Sequence, residues 1–149
     1  AAGVYVVHVR LAFDPTYELR SNRTKRWDAY PADRAMLADS PAAQIVTALA
    51  PAEGEPVVIK GSVDPFIGTS LANMLLGNGI RSIAVAGVAT NLAVESAVRH
   101  AGDSGFDVTV IEDLCASFSP AAHEFSTDTI LPMFATVASS DDYLAALEG

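Results

Sequence analysis

The stretch GIRSIAVAGVATNLAVESAVRHAGDSGFDVTVIED, residues 79–113, decides the fold. Within it SIAVAG (82–87) is short, apolar and free of strict polar alternation, the composition of a strand covered on both faces. NLAVESAVRHAGDSG (91–105) then spaces its apolar residues as a helix does, and FDVTVIED (106–113) returns to strand character. Strand, helix and strand in so short a span make a βαβ unit, with parallel strands and a right-handed crossover.

The same alternation extends in both directions. VYVVHV (4–9) and PVVIK (56–60) read as two more buried strands, and ATVAS (135–139) as a weaker fifth. SPAAQIVTAL (40–49) predicts a helix with Ser40 as N-cap and Pro41 at its first position. TSLANMLLGNG (69–79) predicts a helix that ends in glycine turn chemistry. SPAAHEFSTDTILPMF (119–134) and SSDDYLAAL (139–147) complete the pattern. The expected fold is therefore α/β with a mostly parallel sheet, in a single domain over 1–149. One long irregular stretch interrupts it at 13–39, with Tyr17, Trp27, Tyr30 and most of the basic residues. A loop of that length is either a solvated excursion or the lid or wall of a pocket.

Composition narrows the function. Half of the residues are apolar, 18% are charged, and apolar runs are short, which argues against disorder and against a membrane-spanning helix. The opening AAGVYVVHVR lacks the basic flank and processing site of a signal peptide. A net charge of −9 disfavours nucleic acid and anionic membrane as partners, and any anionic substrate must be met by a few local cations rather than by a general field. The single cysteine, Cys115, rules out an intrachain disulfide framework and suits a reducing, cytoplasmic setting. His8, His100 and His123 show no metal-ligand spacing, and neither a metal nor another cofactor is expected.

In open α/β sheets ligands bind beyond the carboxyl ends of the strands. Those ends deliver Arg10 and Phe13, then Lys60, then the turn GVATN (87–91), then Glu112 and Asp113. Lys60 closes an apolar run, so it is either a partly desolvated catalytic lysine or a lysine reaching out to solvent. Arg10 is either a carboxylate anchor or a surface cation. His123 either faces the pocket or lies on a helix flank, and Cys115 reads as a small buried hydrophobe rather than a nucleophile. The turn brings a strand into a helix whose first amides lack internal partners and can hold an anion. Every such turn exposes amides, so the turn alone is weak evidence.

Two segments carry a resemblance to a known family. VVIKGSVDPFIGTSLANML (57–75) and residues 79–125, centred on GVATNLAVESAVRHA, resemble the isochorismatase-like (cysteine hydrolase) superfamily. The resemblance covers nearly the whole chain and implies a three-layer α/β/α fold with a Rossmann-like parallel sheet. It also implies an aspartate on the family's first strand, a lysine at Lys60, and a cysteine nucleophile at the position of Ala93. Further implications are a cis peptide at Val88–Ala89 and an oxyanion hole from the amides of Ala89 and Ala93. Arg10, Phe13, Trp27, Phe66 and Thr90 are the expected substrate-binding residues, and the family's dimers and tetramers suggest a homo-oligomer.

The chain departs from the family pattern twice. It starts at what corresponds to the second strand, so roughly 30 residues carrying the aspartate are expected upstream. Position 93 is alanine, which cannot attack a carbonyl. Three readings follow: a hydrolase using the aspartate and Lys60 without a cysteine nucleophile, a cysteine amidohydrolase whose nucleophile has been replaced at 93, or a silent homologue that binds a small molecule or serves as a scaffold.

Overall fold

The computed structural model describes residues 3–18, 20 and 25–148. They fall into two compact units, Gly3–Leu71 and one that comprises Ala72–Gly149. The strands are β1 (His8–Leu11), β2 (Val57–Lys60), β3 (Ser82–Val88), β4 (Asp107–Ala116) and β5 (Thr136–Ala138). All the pairings among them are parallel, and they form two sheets, β1–β2 and β3–β4–β5. The molecule is α/β, as the alternation of the sequence requires.

In Gly3–Leu71, β1 and β2 run in register from His8 beside Val57 to Leu11 beside Lys60. Residues 4–7, expected as strand, lie outside the ladder. The described residues of the stretch 13–39 are not merely a solvated excursion. They contain two four-residue helices, α1 (Lys25–Asp28) and α2 (Tyr30–Asp33), and contribute a core of Phe13, Tyr17, Trp27 and Leu37. Trp27 meets Phe13 and Tyr30 edge to face, with ring centroids 5.6 and 5.0 Å apart. That arrangement sets the positive ring edge against the negative face.

The helix expected over 40–49 does not form. Pro41–Ala43 and Thr47–Leu49 are separate 3₁₀ turns, with Gln44 extended between them. Arg10 accounts for part of this, because its Nη1 donates to the carbonyls of Ala38 (3.2 Å) and Ala43 (2.8 Å). Ser40 donates its hydroxyl to the Leu37 carbonyl instead of capping a helix. Val46 and Thr47, both β-branched, add little helix propensity to resist the break.

In the second unit the order β3–β4–β5, parallel throughout, is the product of two successive βαβ steps. Helix α3 (Leu71–Gly77) leads into β3, and α4 (Glu95–Asp103) into β4. Both helices end in the same motif. Ile80 N–H donates to Leu75 O and Gly79 N–H to Leu76 O; Phe106 N–H donates to Ala101 O and Gly105 N–H to Gly102 O. These are Schellman closures, which place a left-handed residue at the turn, and Gly79 (φ +70°) and Gly105 (φ +84°) fill it. Helix α4 buries Ala97, Val98 and Ala101 on one face, as its periodicity anticipates. Helix α5 (Pro120–Phe125) starts at Ser119, whose hydroxyl accepts the Ala122 N–H. Helix α6 (Ser140–Glu148) closes the chain, its first amide and the Ser140 hydroxyl both donating to the Asp113 carboxylate on β4.

The strands are less covered than their composition suggests. Val9, Val57, Ile59 and Val88 are exposed. In the described part of Gly3–Leu71 the helices of α type are four residues long until Leu71, too short to roof a sheet face. No helix among the described residues is long and apolar enough to cross a membrane.

Phe13 contacts three other rings at the centre of its cluster. Phe13→Ala is expected to lower stability by about 3–5 kcal/mol, measured as a fall in the urea midpoint by circular dichroism. A change below 1 kcal/mol would mean that the cluster is not a core.

Candidate active site

Beyond β3 the chain passes through a cis peptide between Val88 and Ala89. It then enters a helix whose first turn, Thr90–Val94, is π-wound and runs directly into α4. The Ala89 carbonyl accepts the amides of Leu92 (3.1 Å) and Val94 (3.2 Å). It passes over the intervening Ala93 amide, which an α turn would have bonded to it. The Glu95 N–H is likewise shared between the carbonyls of Leu92 and Thr90, not given to that of Asn91. The widened turn thus withdraws the usual helical acceptor from the Ala93 N–H, at the positive end of the helix dipole. Ala89 is buried and Ala93 half-buried. Single π turns inside α-helices recur at functional sites.

Polar side chains brace this turn against the segment that follows β4. Thr90 is fully buried, and its Oγ1 lies 2.8 Å from His123 Nδ1. Ser117 Oγ donates to Asn91 Oδ1 at 2.6 Å, and the buried Ser126 donates to Glu95 Oε2 at 2.9 Å. The other Glu95 oxygen accepts both Nε and Nη2 of Arg99, whose guanidinium also lies 4.6 Å from the centre of the Phe134 ring. The segment that bears His123 and Ser126 has a π turn of its own at Ser126–Ile130. His123 therefore faces the turn rather than lying free on a helix flank. Sequence reading had no handle on this contact, which joins residues 33 positions apart.

In the other unit Lys60 is only 8% exposed, and its Nζ donates to the Val63 carbonyl. The loop that supplies this carbonyl is folded by its own side chains. Ser62 Oγ donates to Asp64 O (2.5 Å), Asp64 Oδ1 accepts the Phe66 N–H (2.8 Å), and Thr69 Oγ1 donates to Pro65 O (2.6 Å). Burial lowers the pKa of Lys60 from 10.5 to about 8. The negative charge of Asp64 opposes that shift and the positive charge of Arg26 adds to it.

The remaining candidates have structural placements of their own. Phe13 and Trp27 lie in the aromatic core, Phe66 is buried on the Lys60 loop, and Arg10 staples the 38–43 segment. Trp27 Nε1 is buried without a hydrogen-bond partner among the described residues. Cys115 lies beside Gly87 across the β3–β4 ladder and donates its thiol to the Ile111 carbonyl at 3.3 Å. Burial raises its pKa, which keeps the thiol protonated and poorly nucleophilic. Among the described residues no group of three or more His, Cys, Asp and Glu side chains is placed to hold a metal ion. A shallow depression lined by Phe106, Asp107, Val108, Pro132, Phe134 and Thr136 lies at the amino-terminal ends of β4 and β5, opposite to the end that bears the turn.

Comparison with known proteins identifies the fold and its lineage. The sequence model of the isochorismatase domain matches residues 1–142. The chain belongs to the isochorismatase family. Isochorismatase family protein YecD of Escherichia coli O157:H7 is 36% identical over 100 residues, which are 67% of this chain and 53% of YecD. Maleamate amidohydrolase of Pseudomonas putida is 26% identical over 145 residues, 97% of this chain and 67% of that enzyme. The chain thus spans about half the length of the first relative and two thirds of the second. Among solved structures, an isochorismatase family protein from Burkholderia thailandensis superposes with a TM-score of 0.88 at 29% identity, covering 98% of this chain and 75% of its own.

Lys60 and Lys25 are the two lysines of the chain, so methyl groups added to lysine nitrogens give few signals to assign. The Lys60 resonance is expected to titrate near pH 8. Asp64→Asn removes an opposing charge and lowers that midpoint, whereas Arg26→Ala raises it. Shifts of the opposite sign would contradict the electrostatic account.

Proposed function

We propose that this isochorismatase-family chain is part of a hydrolase that cleaves a small carboxylated or amide substrate with water as the nucleophile. The observation that carries the reading is the wide turn at 89–94, where the Ala89 carbonyl bonds Leu92 and Val94 and leaves the Ala93 N–H without that acceptor. The amides of Ala89 and Ala93 are assigned to the negative charge that develops on the substrate oxygen. A methyl group at 93 has no chemistry of its own, so the turn supplies electrostatic stabilisation without covalent catalysis. Lys60, as a cation, is assigned to balancing substrate or transition-state charge. The aspartate that the family resemblance implies is the proton carrier of this scheme.

For an amide, water adds to the carbonyl carbon and its proton passes to the aspartate. The carbonyl electron pair moves onto oxygen, then returns as the C–N bond breaks and the nitrogen takes the proton. For a vinyl ether, the acid protonates the enol carbon, and water adds to the resulting cation and returns a proton to the carboxylate. The hemiketal then breaks its C–O bond to give pyruvate and an alcohol as its hydroxyl proton passes to the leaving oxygen. Both routes need a proton donor and neither needs a thiol, which is consistent with Ala93. The similarity to maleamate amidohydrolase supports a second reading, in which the turn is that of a cysteine amidohydrolase with alanine in the nucleophile position. The expected setting in both readings is a small-molecule site in a homo-oligomer.

The test is product formation by the whole protein on maleamate, ureidoacrylate and isochorismate. Turnover of at least one is expected, and Lys60→Ala is expected to reduce it by roughly 100-fold or more. Turnover of none, or full activity without Lys60, would overturn the proposal. Because Lys60 acts as a cation, activity should decline as pH rises through about 8, the pH at which it loses its proton.

Ala93→Cys separates the two readings. Loss of activity without an adduct is expected for water attack. New amidase activity with an acyl adduct seen by mass spectrometry would instead establish the thiol route.

A further inference from the structure

The widened turn raises the question of what holds it. An α turn is the default winding for residues 90–94, and it would return the Ala93 N–H to the Ala89 carbonyl. Something must therefore favour the wider form. Leu92 and Val94 contribute no polar side chain, and Asn91 is engaged with Ser117 on its own account. Thr90 is different: it is the first residue of the turn, is completely buried, and is bonded through its hydroxyl to His123. A buried hydroxyl cannot be left unbonded without a large cost, so the position of the histidine ring constrains where Thr90 sits.

The ring is itself held. His123 lies in α5, whose start is set by the Ser119 cap and which runs into the π turn that carries Thr127. The Thr127 hydroxyl donates to the His123 carbonyl at 3.2 Å, and the Ser126 N–H bonds the same carbonyl. One turn further along, Ser126 is bonded to Glu95, so α5 and the residue after it contact the helix at both ends of its π turn. The Thr90–His123 and Glu95–Ser126 bonds bracket residues 91–94 and fix the span that those residues must cover.

We propose that His123 is a positioning residue of the 89–93 turn, its Nδ1 holding the buried Thr90 hydroxyl where the π winding keeps the Ala93 N–H off the Ala89 carbonyl. His123 acts through Thr90 and touches no reacting atom. The value of this arrangement to catalysis rests on the oxyanion reading above; the positioning itself does not.

The test is amide hydrogen exchange of Ala93 in the whole protein, with thermal melting as the check on folding. Thr90→Val keeps the buried shape and removes the hydroxyl, and His123→Ala removes the ring. In each, the turn should relax to α winding and Ala93 exchange should slow by roughly tenfold, the effect of gaining one backbone hydrogen bond. His123→Asn, which keeps a polar atom near the place of Nδ1, and Thr90→Ser should restore the parent rate. The double variant should equal either single variant, because both remove one interaction. An Ala93 rate within twofold of the parent in folded Thr90→Val overturns the proposal, even if His123→Ala fails to fold. Where a substrate has been found, kcat should fall in both variants with KM little changed. Altered exchange without turnover of any substrate would count against the hydrolase reading and leave the positioning role standing.

Discussion

The division of one carbonyl between two amides governs the carboxyl end of β3. By accepting Leu92 and Val94, Ala89 O opens the helix at its first turn and leaves the bond to Ala93 unmade. An ordinary α-helix also begins with unpaired amides, but the fourth residue past a carbonyl is normally tied back to it. Here that residue lies in the half-buried first turn, close to the positive pole of the dipole. The surrounding hydroxyl, amide and carboxylate bonds are all local to the unit that carries the turn, so β3, α4 and α5 specify it together.

Charge is organised differently in Gly3–Leu71. With a net charge of −9 the chain has few cations to place, and Arg10 and Lys60 are among those committed to backbone carbonyls. Arg10 ties down Ala38 and Ala43, and Lys60 reaches Val63. The first spends charge on loop geometry. The second retains functional potential, because desolvation brings its pKa to about 8, where the ammonium and amine forms exchange near neutral pH.

Legibility in the sequence followed the range of the interactions. SIAVAG marked β3 to within a residue, and the glycine that ends the helical pattern 69–79 marked the Schellman closure at Gly79. Those features depend on neighbours a few positions away. The π winding was invisible, since a five-residue turn is too short for its period to be told from that of an α-helix. Ser40-Pro41 looked like a helix start, but a guanidinium 28 and 33 residues away claimed the carbonyls at 38 and 43. Lys60 was conspicuous as the polar end of an apolar run; His123 was not, because its partner is remote in sequence. The resemblance to the isochorismatase family pointed to the turn, whereas what braces it emerged only from side-chain contacts.

The aromatic core has a practical consequence for following this molecule in solution. Trp27 is the single tryptophan, sealed to 1% exposure among Phe13, Tyr17 and Leu37. Its emission therefore monitors Gly3–Leu71 and is silent about the unit that carries the turn, where Tyr143 is the lone phenol. A fluorescence transition and a far-ultraviolet transition would weight the two units unequally. Their coincidence or separation on a denaturant axis would read out directly whether the units unfold as one cooperative body.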